Sequence, residues 1–377
     1  HAQRAIDRET SYKEYAWGAM GNALEDLAWI VGETANYETA IEAFTKAIEA
    51  RDEAKQRFDR GRCHYKRVVY GQQDSRYIDE AVADLEEATR RDNVFAEPFL
   101  WLGRAYTYRA QWEDADRNYS EAERISGAER DGYWLMYAIE WANAPFLEAR
   151  ARAVRNRNDV EIQKRLAAAR ERAKKLEGTD SAEAAYIIGQ TYTFEGKVPE
   201  TLAAYSAGLQ GVSNKPTAAQ AKVLVVRAGL IYEARDRVTQ QFARPLNQSI
   251  ADAELAARVL TDPSLKALAL ATAAQSKISA ALASGSTPEE KQRGADAIDQ
   301  LREAIKTAPQ HALAWAWREI LAVRLKVYID DPRVAIEDRR TYYREAIEHL
   351  EKAFQAAPAK EKTRIGNFKE QVASKQP

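Results

Sequence analysis

The feature of this sequence that most constrains its fold is a helical spacing of aromatic and small residues, clearest in residues 96–129. Such residues recur there at steps of three and four, which is the spacing of one face of an α-helix. One set precedes the turn around Ala110–Gln111 and a second set follows it. The sets are Phe99, Leu102, Gly103 and Tyr106, then Trp112, Ala115, Tyr119 and Ala122. Two short helices bury little surface alone, so the pattern predicts neighbours of the same kind.

The same spacing recurs along nearly the whole chain. Residues 182–214 repeat it most closely, with Gly189 and Tyr205 in the positions of Gly103 and Tyr119. We place the second helix of each copy by its first small or apolar anchor residue. These anchors are separated by 34 to 51 residues, and they are Ala40, Ala81, Ala115, Leu166, Thr201, Ala251, Ala297 and Ala346. The chain is therefore predicted to contain about eight helix pairs, most of them longer than residues 96–129.

This pattern resembles the tetratricopeptide repeat (TPR) family. In that family the first helix carries a large residue, then Leu-Gly, then Tyr, and the second carries Ala, an aromatic residue and Ala. Residues 96–129 match slot by slot, with Gly127 where the family has a helix-stopping proline. The resemblance implies an all-α fold, a right-handed superhelical solenoid of TPR-like helix pairs. Because family repeats have about 34 residues, the longer copies predict lengthened helices.

Lengthened helices are predicted over residues 17–31, 217–242 and 311–329. A C-terminal capping helix is predicted over residues 361–372, with Ile365, Phe368 and Val372 on its inner face. A polar cap of this kind covers the open end of a repeat array. We expect residues 1–377 to form a single TPR-like α-solenoid, with room for a bend between sub-arrays at 130–180, where the repeat pattern is weakest.

The sequence carries no recognisable reaction centre. There is no glycine-rich phosphate loop and no Gly-x-Ser-x-Gly elbow. The four histidines, His1, His64, His311 and His349, have neither the spacing nor the cysteine neighbours of a zinc site. The single cysteine, Cys63, is interpreted as a small core residue. We therefore expect no enzyme activity, no cofactor, no metal and no small-molecule substrate.

The ends and hydropathy of the chain say little about its location. The sequence begins with His1, so we interpret it as a segment of a longer chain. No stretch approaches the roughly 18 uninterrupted apolar residues of a membrane span. We therefore expect no membrane span in this segment. The cytoplasm is favoured as its location, while an upstream signal or anchor stays open.

The TPR resemblance also implies where a partner binds. In this family the first helices line a concave wall, and proteins or peptides bind there. The wall residues lie on the face of each first helix opposite its packing residues. In this sequence they are Tyr15, Asn22, Leu100, Arg104, Tyr108, Tyr186, Gln190 and Phe194. We therefore predict a protein–protein interaction scaffold that binds a protein or peptide in this groove.

Two alternatives stay open at this point. The segment could be the sensor or regulatory module of a larger protein, linked to a kinase or to a membrane anchor. The basic region 150–175 could instead bind nucleic acid, with a patch formed by Arg150, Arg152, Arg155 and Arg157. Against the second alternative stand the net charge of −1 for the whole chain and the acidic residues within the same region.

Overall fold

The computed structural model describes residues 12–31, 35–70, 74–129, 133–239, 241–242, 244–284 and 288–376. The chain divides into two compact units, His1–Asp180 (unit 1) and Ser181–Pro377 (unit 2). Each unit is built from consecutive helices that pack in pairs. The bend expected at 130–180 stays a prediction.

Unit 1 contains four helix pairs in its described residues. The pairs are α1 (Lys13–Val31) with α2 (Ala35–Ala50), α3 (Ala54–Val69) with α4 (Tyr77–Arg91), α5 (Ala96–Tyr108) with α6 (Trp112–Glu129), and α7 (Trp134–Arg155) with α8 (Glu161–Lys174). Each first helix also contacts the first helix of the next pair. The four first helices α1, α3, α5 and α7 therefore lie side by side, and we call their surface the unit 1 wall.

Unit 2 repeats this arrangement and ends with one further helix. Its pairs are α9 (Ser181–Phe194) with α10 (Val198–Gly208), α11 (Ala218–Glu233) with α12 (Pro245–Val259), α13 (Pro263–Ser284) with α14 (Pro288–Thr307), and α15 (Ala314–Asp330) with α16 (Ile336–Ala356). The last helix, α17 (Ala359–Ala373), packs on α16 and buries Ile365 and Val372. The surface of the first helices α9, α11, α13 and α15 is called the unit 2 wall. The predicted all-α repeat fold, with eight pairs and a terminal helix among the described residues, is confirmed.

In three helix pairs, an aromatic ring of the second helix packs directly on a glycine of the first helix. Gly21 lies under Phe44, Gly103 under Tyr119 and Gly189 under Tyr205. A Cβ atom added to Gly21 or Gly103 would lie 2.6 or 2.8 Å from a ring carbon, and one added to Gly189 would lie closer still. Because no side chain fits in this space, the close approach of the two helices requires glycine there.

The turns that follow α5 and α9 use the same backbone geometry. The N–H of Gln111 donates to the carbonyl of Tyr106, and the N–H of Lys197 donates to the carbonyl of Tyr192, each at 2.9 Å. This bond closes a Schellman-type helix end, which needs a left-handed residue just before the donor. That residue is Gly196, with φ of 73°, after α9 and Ala110, with φ of 57°, after α5.

Two details of the predicted helices are wrong. Helix α11 ends at Glu233 rather than at residue 242. Beyond it the chain forms turns that bury Val238 against Leu202 and Ile231, so the apolar spacing arises from this packing. In α12 the anchor is not Ala251, which is exposed, but Ala253, which is fully buried.

Candidate partner-binding surface

The unit 1 wall is held together by ion pairs between neighbouring first helices. Arg62 of α3 donates to Asn22 of α1 at 2.8 Å and to both carboxylate oxygens of Glu25 at 3.0 and 2.5 Å. Lys66 of α3 also pairs with Glu25 at 2.9 Å. Glu25 is only 1% exposed. A carboxylate so deeply buried requires such cationic partners, so Asn22 and its neighbours have a structural function within the wall.

Further along the unit 1 wall, Trp101 of α5 is surrounded by cations and an aromatic ring. The Arg104 guanidinium lies 4.6 Å from its ring centroid, and the Lys66 ammonium lies 5.7 Å away. Tyr65 contacts Trp101 edge to face, with 5.5 Å between the ring centroids. Arg104 also donates to Glu140 of α7 at 2.5 Å. These contacts link α3, α5 and α7. The Arg104 side chain, which was predicted to contact a partner, is therefore already engaged by Glu140 and Trp101.

The remaining predicted residues of unit 1 differ in accessibility. Tyr15 and Tyr108 are exposed, at 56% and 48%, near the ends of their helices. Leu100 is only 1% exposed and belongs to the core that also contains Phe58 of α3 and Tyr137 of α7. The prediction of Leu100 as a partner-contacting residue is therefore wrong. Because α5 has neighbours on both sides, only a narrow stripe of it reaches solvent.

The unit 2 wall contains a cavity of about 250 Å³. All four first helices of unit 2 contribute to its lining, together with Tyr205 from α10 and Leu313 from the turn before α15. Its apolar lining consists of Val225, Val226, Gly229, Leu230, Leu268, Leu313 and Trp317. Its polar lining consists of Gln190, Thr193, Tyr205, Tyr232, Glu233, Thr272 and Gln275. An apolar concavity with a few hydrogen-bonding groups is the usual form of a binding pocket in proteins.

The hydrogen bonds at the cavity fix part of its polar lining. The amide nitrogen of Gln190 donates to the hydroxyl oxygen of Tyr205 at 3.0 Å. Burial raises the pKa of Tyr205 to about 12, so this hydroxyl is protonated at neutral pH. The Gln190 carbonyl oxygen takes no part in this bond. The amide is therefore oriented, and its oxygen can accept a hydrogen bond from a ligand.

Only one of the three predicted residues of unit 2 lines the cavity. That residue is Gln190. Tyr186, on the same helix, lies under the Lys222 ammonium, with 4.8 Å between the nitrogen and the ring centroid. Phe194, 40% exposed, stands at the last position of α9. Sequence spacing identified one residue of the cavity lining, whereas the cavity also contains residues from three other first helices.

Several basic residues of the region 150–175 pair with acids, and these are Arg152, Lys164, Arg165 and Arg172. Arg152 donates to Glu148 at 2.7 Å and to Asp159 at 3.2 Å. Arg172 makes two hydrogen bonds to Asp116. Of the four predicted patch residues, Arg150, Arg155 and Arg157 are exposed and Arg152 is half-buried. These pairs reduce the positive charge that the region presents to solvent.

The residues with potential for metal or thiol chemistry are dispersed or buried. Cys63 is fully buried, and its thiol donates to the carbonyl of Tyr37. Burial raises the pKa of this thiol far above its usual range. Among the described residues, no three His, Cys, Asp or Glu side chains are grouped to hold a metal ion. His1 lies outside the described residues. In the same part of the chain, no helix is both long and apolar enough to cross a membrane.

Comparison with known proteins gives structural similarity at low sequence identity. No protein-family model matches the sequence, and no curated protein matches it. Among solved structures, the C-terminal part of a TPR repeat-containing protein from Cytophaga hutchinsonii is 16% identical, with a TM-score of 0.41 over 78% of this chain and 97% of that one.

Two further solved structures are similar over most of the chain. A signal transduction ATPase with a tetratricopeptide repeat sensor, from Pyrococcus horikoshii, is 18% identical, with a TM-score of 0.46 over 99% of this chain and 54% of that one. The TPR2AB-domain:pHSP90 complex of yeast Sti1 is 17% identical, with a TM-score of 0.29 over 84% of this chain and 99% of that one. At this level of similarity we transfer none of these proteins' partners to this chain.

Proposed function

We propose that this protein is an interaction scaffold whose unit 2 wall binds an extended segment of a partner protein. An apolar side chain of that segment enters the cavity, and its backbone hydrogen-bonds to the amides and hydroxyls around it. The proposed activity is binding without turnover. Tyr186 and Phe194, on the same helix as Gln190, are proposed to contact the flanking residues of the segment.

The observation that supports this proposal is the cavity itself. It has an apolar lining that includes Leu230, Leu268 and Trp317, and it carries Gln190 and Gln275, whose amides can both donate and accept. An extended peptide presents alternating N–H and C=O groups together with side chains, so it needs both kinds of surface. A preformed concave surface also lowers the entropic cost of binding.

Gly229 offers a direct way to fill the cavity. It lines the cavity within α11, and a Cβ atom added to it would meet no other atom within 4 Å. We expect Gly229→Leu to place its side chain in the cavity without a clash. Replacing a helical glycine also favours the helix by up to about 1 kcal/mol, so the variant is expected to fold.

The test uses a random-sequence peptide library displayed on phage and selected against the purified protein. Selected peptides are synthesised, and their dissociation constants are measured for the wild type and for Gly229→Leu. We expect filling the cavity to weaken binding by about tenfold or more, since a central apolar anchor contributes at least ~1.4 kcal/mol.

The matched control is Gly294→Leu. Gly294 lies in α14, a second helix of unit 2, and a Cβ atom added to it would also meet no other atom within 4 Å. This variant should bind every selected peptide as tightly as the wild type. The proposal fails if selection yields no peptide, or if Gly229→Leu binds the selected peptides with unchanged affinity.

A further inference from the structure

Arg324 of α15 is a cation of the unit 2 wall that has no carboxylate partner among the described residues. It is half-buried, and its Nε atom is buried without a hydrogen-bond partner among the described residues. Its guanidinium makes no ion pair within that same part of the chain. A partly buried charge without a partner is costly, because it loses water contacts without gaining others.

Three cations of the unit 2 wall are paired with carboxylates inside the unit. Lys222 pairs with Glu183 at 2.7 Å. Arg227 pairs with Asp252 at 2.7 Å, and Lys277 pairs with Glu254 at 2.6 Å. Each of these charges is neutralised inside unit 2. Arg324 has no such partner among the described residues, so a carboxylate from outside the unit can form an ion pair with it.

Arg324 lies beside the cavity. It follows Trp317 by about two helical turns, so both residues are on the same face of α15. Tyr232, which lines the cavity, is close enough to affect the pKa of Arg324. Burial lowers the pKa of Arg324, but a guanidinium keeps its charge at neutral pH. A ligand that extends from the cavity past Tyr232 can therefore come near a charged guanidinium that has no partner among the described residues.

We infer that the unit 2 wall selects an acidic partner segment, in which the apolar residue that enters the cavity is accompanied by a nearby Asp or Glu that pairs with Arg324. This inference rests on the proposed function and specifies its ligand. Glu233, at the rim of the cavity, repels a second acid on its own side. The acidic residue of the partner therefore lies toward α15.

The experiment uses those peptides from the random library whose binding is weakened by Gly229→Leu. In each peptide, every Asp or Glu is replaced in turn by Asn or Gln, and binding is measured to the wild type and to Arg324→Gln. We expect one acidic residue whose replacement weakens binding to the wild type by about tenfold. The same replacement should have little effect on binding to Arg324→Gln, because the arginine charge that pairs with the acid is already absent.

Two further variants separate this pairing from general charge effects. Arg340→Gln removes an exposed arginine from α16, and it should leave both affinity and the preference for acid unchanged. Arg324→Lys should keep part of the preference, since it retains the charge but not the planar guanidinium. Binding of all variants is measured at one fixed salt concentration, since ion pairing weakens with added salt.

The outcomes distinguish this inference from the proposed function. If cavity-dependent peptides contain no acidic residue, or bind equally well after its replacement, the preference for acid is refuted and the proposed function stands. If no peptide depends on the cavity, both are refuted. A preference for acid that persists in Arg324→Gln also overturns the assignment of Arg324.

Discussion

The helix pairs α5–α6 and α9–α10 share one packing frame but present different surfaces to their neighbours. In both pairs a tyrosine of the second helix covers a glycine of the first helix. The tyrosine hydroxyl lies near a threonine of the first helix, with 3.2 Å between Thr107 and Tyr119 and 3.4 Å between Thr193 and Tyr205. The internal packing of a pair is therefore set by these few positions.

The surfaces differ at the residue that follows the glycine. In α5 this residue is Arg104, which reaches Glu140 on the next first helix and stacks on Trp101. In α9 it is Gln190, which bonds to Tyr205 within its own pair and lines the cavity. A long charged side chain links neighbouring helices, whereas a short amide leaves space between them. The comparison separates the residues that build the fold from those that determine what its walls can bind.

The largest effect is expected from filling the space under the tyrosine ring. Gly189→Ala should lower the free energy of unfolding by about 3 kcal/mol, since the methyl group overlaps Tyr205 and the core cannot relax freely. Gly103→Ala should cost less, about 1–2 kcal/mol, because the corresponding distance to Tyr119 is longer, at 2.8 Å. Hydrogen exchange in α10 and α6 measures each effect in the pair concerned.

The control for both substitutions is Gly294→Ala, at a helical glycine with open space around it. This change should stabilise unit 2 by up to about 1 kcal/mol, through helix propensity alone. If Gly189→Ala were as well tolerated as Gly294→Ala, the ring would not require glycine, and the shared frame would not explain the packing.

A smaller effect is expected from making the unit 1 wall resemble the unit 2 wall. Arg104→Gln removes the cation that contacts Glu140 and Trp101, and we expect it to lower the stability of unit 1 by about 1 kcal/mol. Urea denaturation of the wild type, of Arg104→Gln, of Glu140→Gln and of the double variant gives the coupling energy.

The exposed pair of Arg90 and Glu87 in α4 is the control for this cycle. Its arginine is 72% exposed, so Arg90→Gln should change stability by less than about 0.5 kcal/mol. A coupling energy near zero between Arg104 and Glu140 would mean that their contact does not stabilise the wall.

The smallest effect is expected at the turns. Ala110 has a positive φ, as Gly196 does, but it pays a steric cost that glycine avoids. Ala110→Gly should therefore stabilise α5–α6 slightly and Gly196→Ala should destabilise α9–α10 slightly, each by less than about 1 kcal/mol. Thermal denaturation of the two variants would show shifts of opposite sign, and shifts of equal sign would contradict the shared turn geometry.

The helix pairs could be predicted from sequence because their packing pattern is local. Glycine and tyrosine at fixed spacing identify a first and a second helix without knowledge of the rest of the chain. The buried face of the alanine-rich helix α12 was harder to predict. Ala251 and Ala253 fit a helical face equally well, and only Ala253 is buried. Small residues on several faces give no unique orientation.

The candidate site could not be predicted from helical spacing alone, because it depends on contacts between helices that are distant in sequence. Leu100 has the correct position on its helix, but neighbouring helices cover it. The cavity combines residues from Gln190 to Trp317, which no local motif connects. Arg227 and Arg324 cannot be distinguished by sequence pattern. Only the three-dimensional arrangement shows that Arg227 pairs with a carboxylate and that Arg324 has no such partner among the described residues. Gln190 could be assigned to the wall from sequence because its position on a helical face alone determines its direction, and it lines the cavity.

We propose that the unit 2 wall binds the partner segment, whereas the unit 1 wall is closed by its own ion pairs. Hydrogen–deuterium exchange of the protein with and without a library-selected peptide tests it most directly. We predict slower exchange in α11, α13 and α15 on binding, and unchanged exchange in α3, α5 and α7. Protection that appears in α3, α5 and α7 and is absent from unit 2 would contradict the claim.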